Sequence, residues 1–471
     1  MFYLRTFSIA FLAAGIFGAS AAMAATPPGA ANASAGLSLP ASWTSAPQGR
    51  RAQASGSIFG VTPWAASQLY TFGGTNGSEP DSLTPDAAGN IYGTTFVGGL
   101  ACGCGTVFKL ARPGPDHTAW TETVLHAFSG NTDGVAPDSA LVIDKNGALY
   151  GTTYTGGNVG WCINGCGTVF KLTPPAAGKT VWTETIIHYF TGLSGDGALP
   201  YFSNLIVLNG VLYGTTSSGG VYGGGTAYML VPPGPGKTAW NATTIHSFAG
   251  AGALSDGSNP QAGLIAAGGA LYSTTAAGGG TGCGGSGCGI VYQLKPPATG
   301  QAWIESVLHT FNSGVDGSSP SLALATDASG ALYTGAEYGG NARCNSSRGC
   351  GTVFKLTPPT IAQTAWTGSV LHYFNGKDGY FPYSGLLADA NGDLYGATEG
   401  GGPSSDGTVF ELAAPTPSKP AWSQNMVHAF SGGVDGASPA GNLIETGGSI
   451  YGSAAGGGAA CGCGLVFKLQ P

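Results

Sequence analysis

One nine-residue pattern returns along this chain at near-constant spacing, and few architectures accommodate that. WTETVLHAF begins at Trp120, and variants begin at Trp182, Trp240, Trp303, Trp366 and Trp422. A degenerate copy, WAASQLYTF, begins at Trp64, with Tyr70 where the other copies carry His. The seven copies lie 56 to 63 residues apart. Three further segments recur in fixed order between them. An Asp-Gly or Asn-Gly pair precedes a proline and an aliphatic run. Next comes LYGTT or a variant, marked by Tyr92, Tyr150, Tyr213, Tyr272, Tyr333, Tyr395 and Tyr451. Last comes GTVFKL or a variant, centred on Phe108, Phe170, Tyr228, Tyr292, Phe354, Phe410 and Phe467.

Each segment is short, rich in β-branched and aromatic residues, and bounded by Gly, Pro, Asp or Asn, which marks a strand. Asn209-Gly210 suits a two-residue hairpin turn, and Asp144 to Gly147 suits a four-residue one. Each unit therefore predicts an antiparallel meander of strands a, b, c and d. Seven such units predict an all-β, seven-bladed β-propeller. The first recognisable strand is of type d and the last, GLVFKL, is of type c. Pairing the two completes a seventh blade from both ends of the chain and removes two open edges. A linear β-array gives no reason for that complementarity.

Charged residues make up 8 % of the chain, but 42 % is hydrophobic, which excludes a disordered polymer. The 84 glycines show no three-residue period, so collagen is excluded. A formal charge of −7 offers no basic surface for nucleic acid.

The DG…P, LYGTT…GG and GTVFKL segments resemble the GloVer tandem repeat of secreted bacterial proteins, from about Gln68 to the C-terminus. The resemblance implies an exported, propeller-like protein. It implies no activity, because the family offers no agreed catalytic residues to carry over.

Arg5, the apolar run Thr6 to Gly18 and Ala22-Met23-Ala24 predict a secretory signal over residues 1–24. Residues 25–62, rich in Ala, Ser, Gly and Pro, predict a flexible leader, leaving 63–471 for the propeller. No later stretch is apolar enough, so nothing else should span a bilayer; the signal leads to the expectation of a periplasmic or secreted protein, and a monomer is expected.

A residue that recurs at one register in every blade is first a packing or turn element. Six of the seven histidines share one position in strand d: His126, His188, His246, His309, His372 and His428. Spread over six blades they cannot converge on one ion, and a structural hydrogen bond is expected. His117 stands apart, in a polar c–d loop. By period-two alternation Trp120, Val124, His126 and Phe128 should share one interblade face. Asp133, Asp196, Asp256, Asp316, Asp378 and Asp435, with Asn76, form a second ring. Each should cap its own turn, with calcium binding by these carboxylates as the sharper alternative.

Ten cysteines form five local pairs in the b–c loops: Cys102/Cys104, Cys162/Cys166, Cys283/Cys288, Cys344/Cys350 and Cys461/Cys463. The second member always precedes the glycine that opens strand c. Disulfides are expected, with the role of stiffening glycine-rich loop tips. The two Cys-Gly-Cys pairs need a kinked backbone and could stay free. Zinc is the poorer reading, with no histidine beside the pairs.

The d–a and b–c loops project on one face, where a binding surface is expected. Non-repeating aromatics there are Phe96, Tyr154, Trp161, Tyr201, Phe202, Tyr222, Tyr338, Tyr380, Phe381 and Tyr383. Carboxylates outside the repeated turns include Glu79, Asp81, Asp138, Glu337, Glu399 and Asp406. Glu337 and Glu399 hold matching positions after strand b in adjacent blades and are the candidates for acid/base cleavage of a glycoside. No nucleophile elbow, zinc-protease or phosphate-loop motif occurs in a supporting context. The reading is a non-catalytic binding module for a glycan or an extracytoplasmic protein. A glycoside hydrolase or lyase is the first alternative, and a structural surface protein the second.

Overall fold

The computed structural model describes residues 64–114, 119–130, 132–157, 161–250, 256–297, 302–340, 344 and 348–471. The expected export signal and leader, and His117, lie outside the described residues.

The described residues form a seven-bladed β-propeller. In blade 1, strands a to d are Ser78–Pro85, Ile91–Val97, Thr106–Ala111 and Thr121–Ala127. Blades 2 to 6 repeat the a-b-c-d order, and short a strands are common, as at Val142–Ile143. Blade 7 takes Ala437–Thr446, Ser449–Gly456 and Leu465–Gln470 from the C-terminal end and Ala65–Thr71 from the N-terminal end. Ala65 pairs with Gln470 and Thr71 with Leu465, antiparallel, which closes the ring. Among the described residues no helix is long and apolar enough to cross a membrane.

Aromatic rings join the blades. The Phe ending strand d meets the strand c aromatic of the next blade at all seven seams, with centroids 4.9 to 5.3 Å apart. The Trp opening strand d turns the other way. Trp120 packs on Tyr451 and Trp240 on Tyr150, each in the preceding blade. So the expectation that Trp120 and Phe128 share one face is wrong. A β-bulge in strand d is the reason: Phe108 pairs with Val124 but Val107 with His126, leaving Leu125 as an extra residue. One added residue reverses the alternation, so one strand grips both neighbours. The shift recurs in every blade.

Backbone bonds complete each seam. The residue before the repeated proline adopts positive φ in all seven blades: Glu79, Ala136, Leu199, Asn259, Ser319, Phe381 and Ser438. Its N–H donates to the residue preceding the strand c glycine of the blade before. Examples are Ala136 to Cys104 at 2.9 Å and Ser438 to Asp406 at 2.8 Å. Glycine is required after that acceptor. A Cβ on Gly105 would fall 2.5 Å from Pro137 Cδ and 2.4 Å from the Thr95 carbonyl, at φ +94.

All five cysteine pairs are disulfides, the two Cys-Gly-Cys pairs included. Their expected role as stiffeners of surface loop tips needs correction, because half of the cysteines are core residues. The second member of every pair, Cys104, Cys166, Cys288, Cys350 or Cys463, is buried in an interblade hydrophobic cluster. None of these five is open to a ligand. The reason is their place one residue before the strand c glycine. The carbonyls of Cys288, Cys350 and Cys463 accept the N–H groups of Ser319, Phe381 and Glu79 from the next blade, each at 2.9 Å, as Cys104 does from Ala136. That bond fixes the backbone at the seam, and the sulfur fills the space beside it. The first members, Cys102, Cys162, Cys283, Cys344 and Cys461, stay exposed or half-buried in the loop. Each bridge therefore ties a loop to the core.

The aspartates cap their turns: the Thr191 N–H donates to Asp196 at 2.8 Å and the Asn312 N–H to Asp316 at 3.1 Å. The histidine and aspartate rings are one device, for each histidine faces the aspartate that follows it in the chain. Hydrogen bonds join His188 to Asp196 at 3.2 Å, His309 to Asp316 at 2.9 Å and His372 to Asp378 at 3.0 Å.

Candidate functional site

Residues in or beside strand a of five blades line one small pocket at the centre of the ring, Ser82, Asn204, Ser321, Tyr383 and Asn442 among them. Two of these brace the ring. Asn204 Oδ1 accepts the Ala140 N–H from blade 2, and Asn442 Oδ1 accepts the Gly385 N–H from blade 6.

On the loop face, two registers that are structurally alike in every blade carry unlike side chains. The residue after the proline is Asp81, Asp138, Tyr201, Gln261, Ser321, Tyr383 or Ala440. The fourth residue after the LYG tyrosine is Phe96, Tyr154, Ser217, Ala276, Glu337, Glu399 or Ala455. The second register bonds back to the pre-proline residue of its own blade. Tyr154, Ser217, Ala276 and Glu337 donate their N–H groups to Ala136, Leu199, Asn259 and Ser319. The backbone accepts Ala, Ser, Phe, Tyr or Glu there, so the fold does not choose the residue.

These registers interleave at the axial mouth. Tyr154 of blade 2 packs on Tyr201 of blade 3 with centroids 4.8 Å apart. Phe202 of blade 3 meets Tyr383 of blade 6 edge-on at 5.4 Å, across the axis. The Tyr201 and Tyr383 hydroxyls share a hydrogen bond. Asp138, fully buried, accepts the Phe202 N–H at 3.3 Å. Blade 3 supplies both Tyr201 and Phe202 because its strand a carries one residue more between proline and leucine than blade 2.

On the opposite side lies the acidic part. The Ser319 hydroxyl donates to Glu337 Oε2 at 3.3 Å, and the Tyr338 hydroxyl donates to the same carboxyl. Arg348 covers the Tyr338 ring at 5.3 Å. Burial pushes the Glu337 carboxyl up to about 7, opposed by the Tyr338 hydrogen bond and reinforced by the Glu399 charge. Tyr383 is raised by burial, with Tyr201, Glu337 and Glu399 adding to it. Two carboxyls on neighbouring blades, one held near neutrality, can act as proton donor and proton acceptor.

Of the sequence-predicted residues, Tyr154, Tyr201, Tyr338, Phe381, Glu337 and Glu399 gather at this mouth. Phe381 stacks edge-on against both Tyr338 and Tyr380, at 5.2 and 4.8 Å. Phe96 occupies the same register and is half-buried. Trp161 lies apart, 69 % exposed on a rim loop. Its N–H donates to Thr191 at 3.2 Å, and the exposed Ile163, Leu193, Val221 and Tyr222 lie in the same and neighbouring loops of blades 2 and 3.

A family model, the Gloeobacter/Verrucomicrobia repeat, matches residues 42–184, 161–365 and 342–471. The chain belongs to that repeat family. Among curated proteins, none matches it. Solved structures that it is similar to lie at low identity. Virginiamycin B lyase from Staphylococcus aureus is 13 % identical, with a TM-score of 0.49 over 87 % of this chain and 99 % of the other. A luciferin-regenerating enzyme is 13 % identical, with a TM-score of 0.37 over 73 % of this chain and 93 % of the other. At such distance no chemistry transfers to this repeat protein.

The sequence missed Arg348, Asn204 and Asn442. It also missed the carboxylates two residues after the strand d tryptophan: Glu122, Glu184 and Glu305. Each of those copies reads Trp-x-Glu where others read Ala, Gly or Gln, and that divergence was the available signal.

Proposed function

We propose that this repeat protein is an exported binding module that seats a glycan at the axial mouth of its loop face. The observation that carries this is the pair of rings where seven equivalent positions hold unlike residues. Symmetric packing does not need Tyr154, Tyr201, Phe202, Tyr383, Glu337 and Glu399 together. Aromatic faces suit the apolar faces of sugar rings, and carboxylates suit their hydroxyls. Five disulfides suit an oxidising compartment outside the cytoplasm.

The test is depletion of the protein by a panel of insoluble and immobilised polysaccharides, with released reducing sugar quantified in parallel. Binding without sugar release, weakened at least tenfold by Tyr154→Ala or Tyr201→Ala, supports the reading. Absence of binding across the panel counts against it and favours a protein ligand.

One observation favours a second reading. Glu337, raised to about 7 beside Glu399, is a proton donor at neutral pH, as glycosidic bond cleavage requires. Sugar release abolished by Glu337→Gln and by Glu399→Gln, with binding retained, would establish that reading instead.

A further inference from the structure

At the seam between blades 1 and 2, three donor atoms converge away from the axial mouth. His126 Nε2 lies 3.6 Å from Asp133 Oδ2 and 3.6 Å from Glu184 Oε1. All three lie within 4.8 Å of one another, a grouping unique among the described residues. His126 and Asp133 come from the end of strand d and the turn after it. Glu184 reaches across from strand d of blade 2.

The other seams serve as internal controls. Where the position of Glu184 is held by Ala242, Gly368 or Gln424, histidine and aspartate close to a hydrogen bond of 2.9 to 3.2 Å. His428 and Asp435 stand 3.6 Å apart with Ala66 at that position, and so lack a third donor. At the blade 3–4 seam Glu305 lies beside His246 and Asp256, but the three atoms do not gather as closely. At the blade 1–2 seam neither His126 Nε2 nor Glu184 Oε1 has a hydrogen-bond partner, although both atoms are buried. The His126–Asp133 separation is no wider than that of His428 and Asp435, so what sets this seam apart is the third donor within 4.8 Å of both.

We propose that His126, Asp133 and Glu184 form a zinc(II) site that clips blade 1 to blade 2. The donor set is one imidazole and two carboxylates, which zinc accepts with a water at the fourth position. Ligands about 2.0–2.2 Å from a tetrahedral ion stand roughly 3.4 Å apart, close to the two 3.6 Å separations. The carboxylate-to-carboxylate edge, within 4.8 Å, closes as the ion binds. Calcium is the poorer occupant, because it takes six to eight oxygen ligands. Asp133 is already oriented, accepting the Ser129 N–H at 2.8 Å and its hydroxyl at 2.7 Å, as outer contacts do for metal ligands.

Untagged protein, stripped with chelator, is titrated with zinc chloride by calorimetry and assayed for retained metal by mass spectrometry. The expected result is one zinc per chain and a higher thermal midpoint with zinc. Glu184→Gln and His126→Gln should each weaken binding at least a hundredfold. His309→Gln, at a seam without a third donor, should leave it unchanged. Far-ultraviolet spectra of the stripped variants show whether each is folded, and cobalt(II) absorption of the wild type reports one imidazole and oxygen donors independently of any variant. No zinc retained by the wild type, undiminished binding by Glu184→Gln, or calcium bound with zinc excluded would each overturn the assignment.

Discussion

Glu337 shows how a single side chain departs from the repeat. Its register forms in every blade, but only here and in blade 6 does it carry a carboxyl. The unfolded chain releases that proton near 4.5 and the folded chain keeps it to about 7. Between those values the native state binds more protons at this group, so the stability Glu337 contributes is fully present below pH 4.5 and is lost as pH rises through 7. Thermal midpoints measured from pH 5 to 8 should therefore fall, and Glu337→Gln should flatten the slope. An unchanged slope would mean that Glu337 titrates normally. Gly368 departs in the opposite direction. Most blades place a glycine after the LYG tyrosine to admit the strand c aromatic: a Cβ on Gly93 would fall 2.6 Å from Phe108 Cζ. Blade 5 has Thr334 there, and Gly368 in strand d gives the room instead, with 2.4 Å to Phe354 Cζ. The displaced Phe354 ring stacks on His309 at 4.6 Å. Gly368→Ala should cost about 1–3 kcal/mol by overpacking, and adding Thr334→Gly should recover part of it. A urea-denaturation double-mutant cycle checks this, and strict additivity would exclude the exchange.

The strands were legible in the sequence because turn residues and β-branched runs act locally. Phe128 and Trp120 stood out by recurrence alone. The side of the blade each faces did not, because the bulge at Leu125 is set by pairing with strand c, which no single segment encodes. The His126–Asp133 pairing was hidden likewise: each ring was visible, but their meeting depends on how the d–a turn folds back. At the mouth, the matching registers of Glu337 and Glu399 were readable, whereas Asn204 acts across blades and Arg348 folds back over Tyr338 from the far end of the same b–c loop, and neither left a local trace. The disulfides belong to this scale also. Their pairing was readable from spacing, but the burial of Cys288, Cys350 and Cys463 was not, since the next blade supplies the cover. Cys162–Cys166 closes a small loop whose second member's carbonyl accepts the Leu199 N–H from the next blade at 2.8 Å. The loop-entropy model gives such a ring about 2 kcal/mol. The double replacement Cys162→Ser, Cys166→Ser should lower stability by at least that amount in calorimetry, with the fold retained.

Seven blades divide the core into seam clusters, each built from two neighbouring blades. Phe72, Tyr451 and Val466 from blade 7 sit with Leu83, Ile91 and Phe108 from blade 1. Phe72 is fully buried there although it follows the first of the described strands, so that strand is tied to the core. Deleting residues 65–71 should uncover the edge of Leu465–Gln470 and abolish the single cooperative transition of urea unfolding. A truncated protein that unfolds as sharply as the full chain would show that ring closure is dispensable.

That closure also orders events during synthesis. Ala65–Thr71 leaves the ribosome among the first described segments, and its partner Leu465–Gln470 leaves about four hundred residues later, after every other described strand. Until then the early strand has no mate in its own chain, while finished copies nearby present the matching edge whenever their own closing strand frays. Two chains that exchange these strands make the same contacts as one chain closed on itself. Expression level therefore becomes a folding variable for this molecule, and slow, dilute production favours the closed single chain over exchanged pairs.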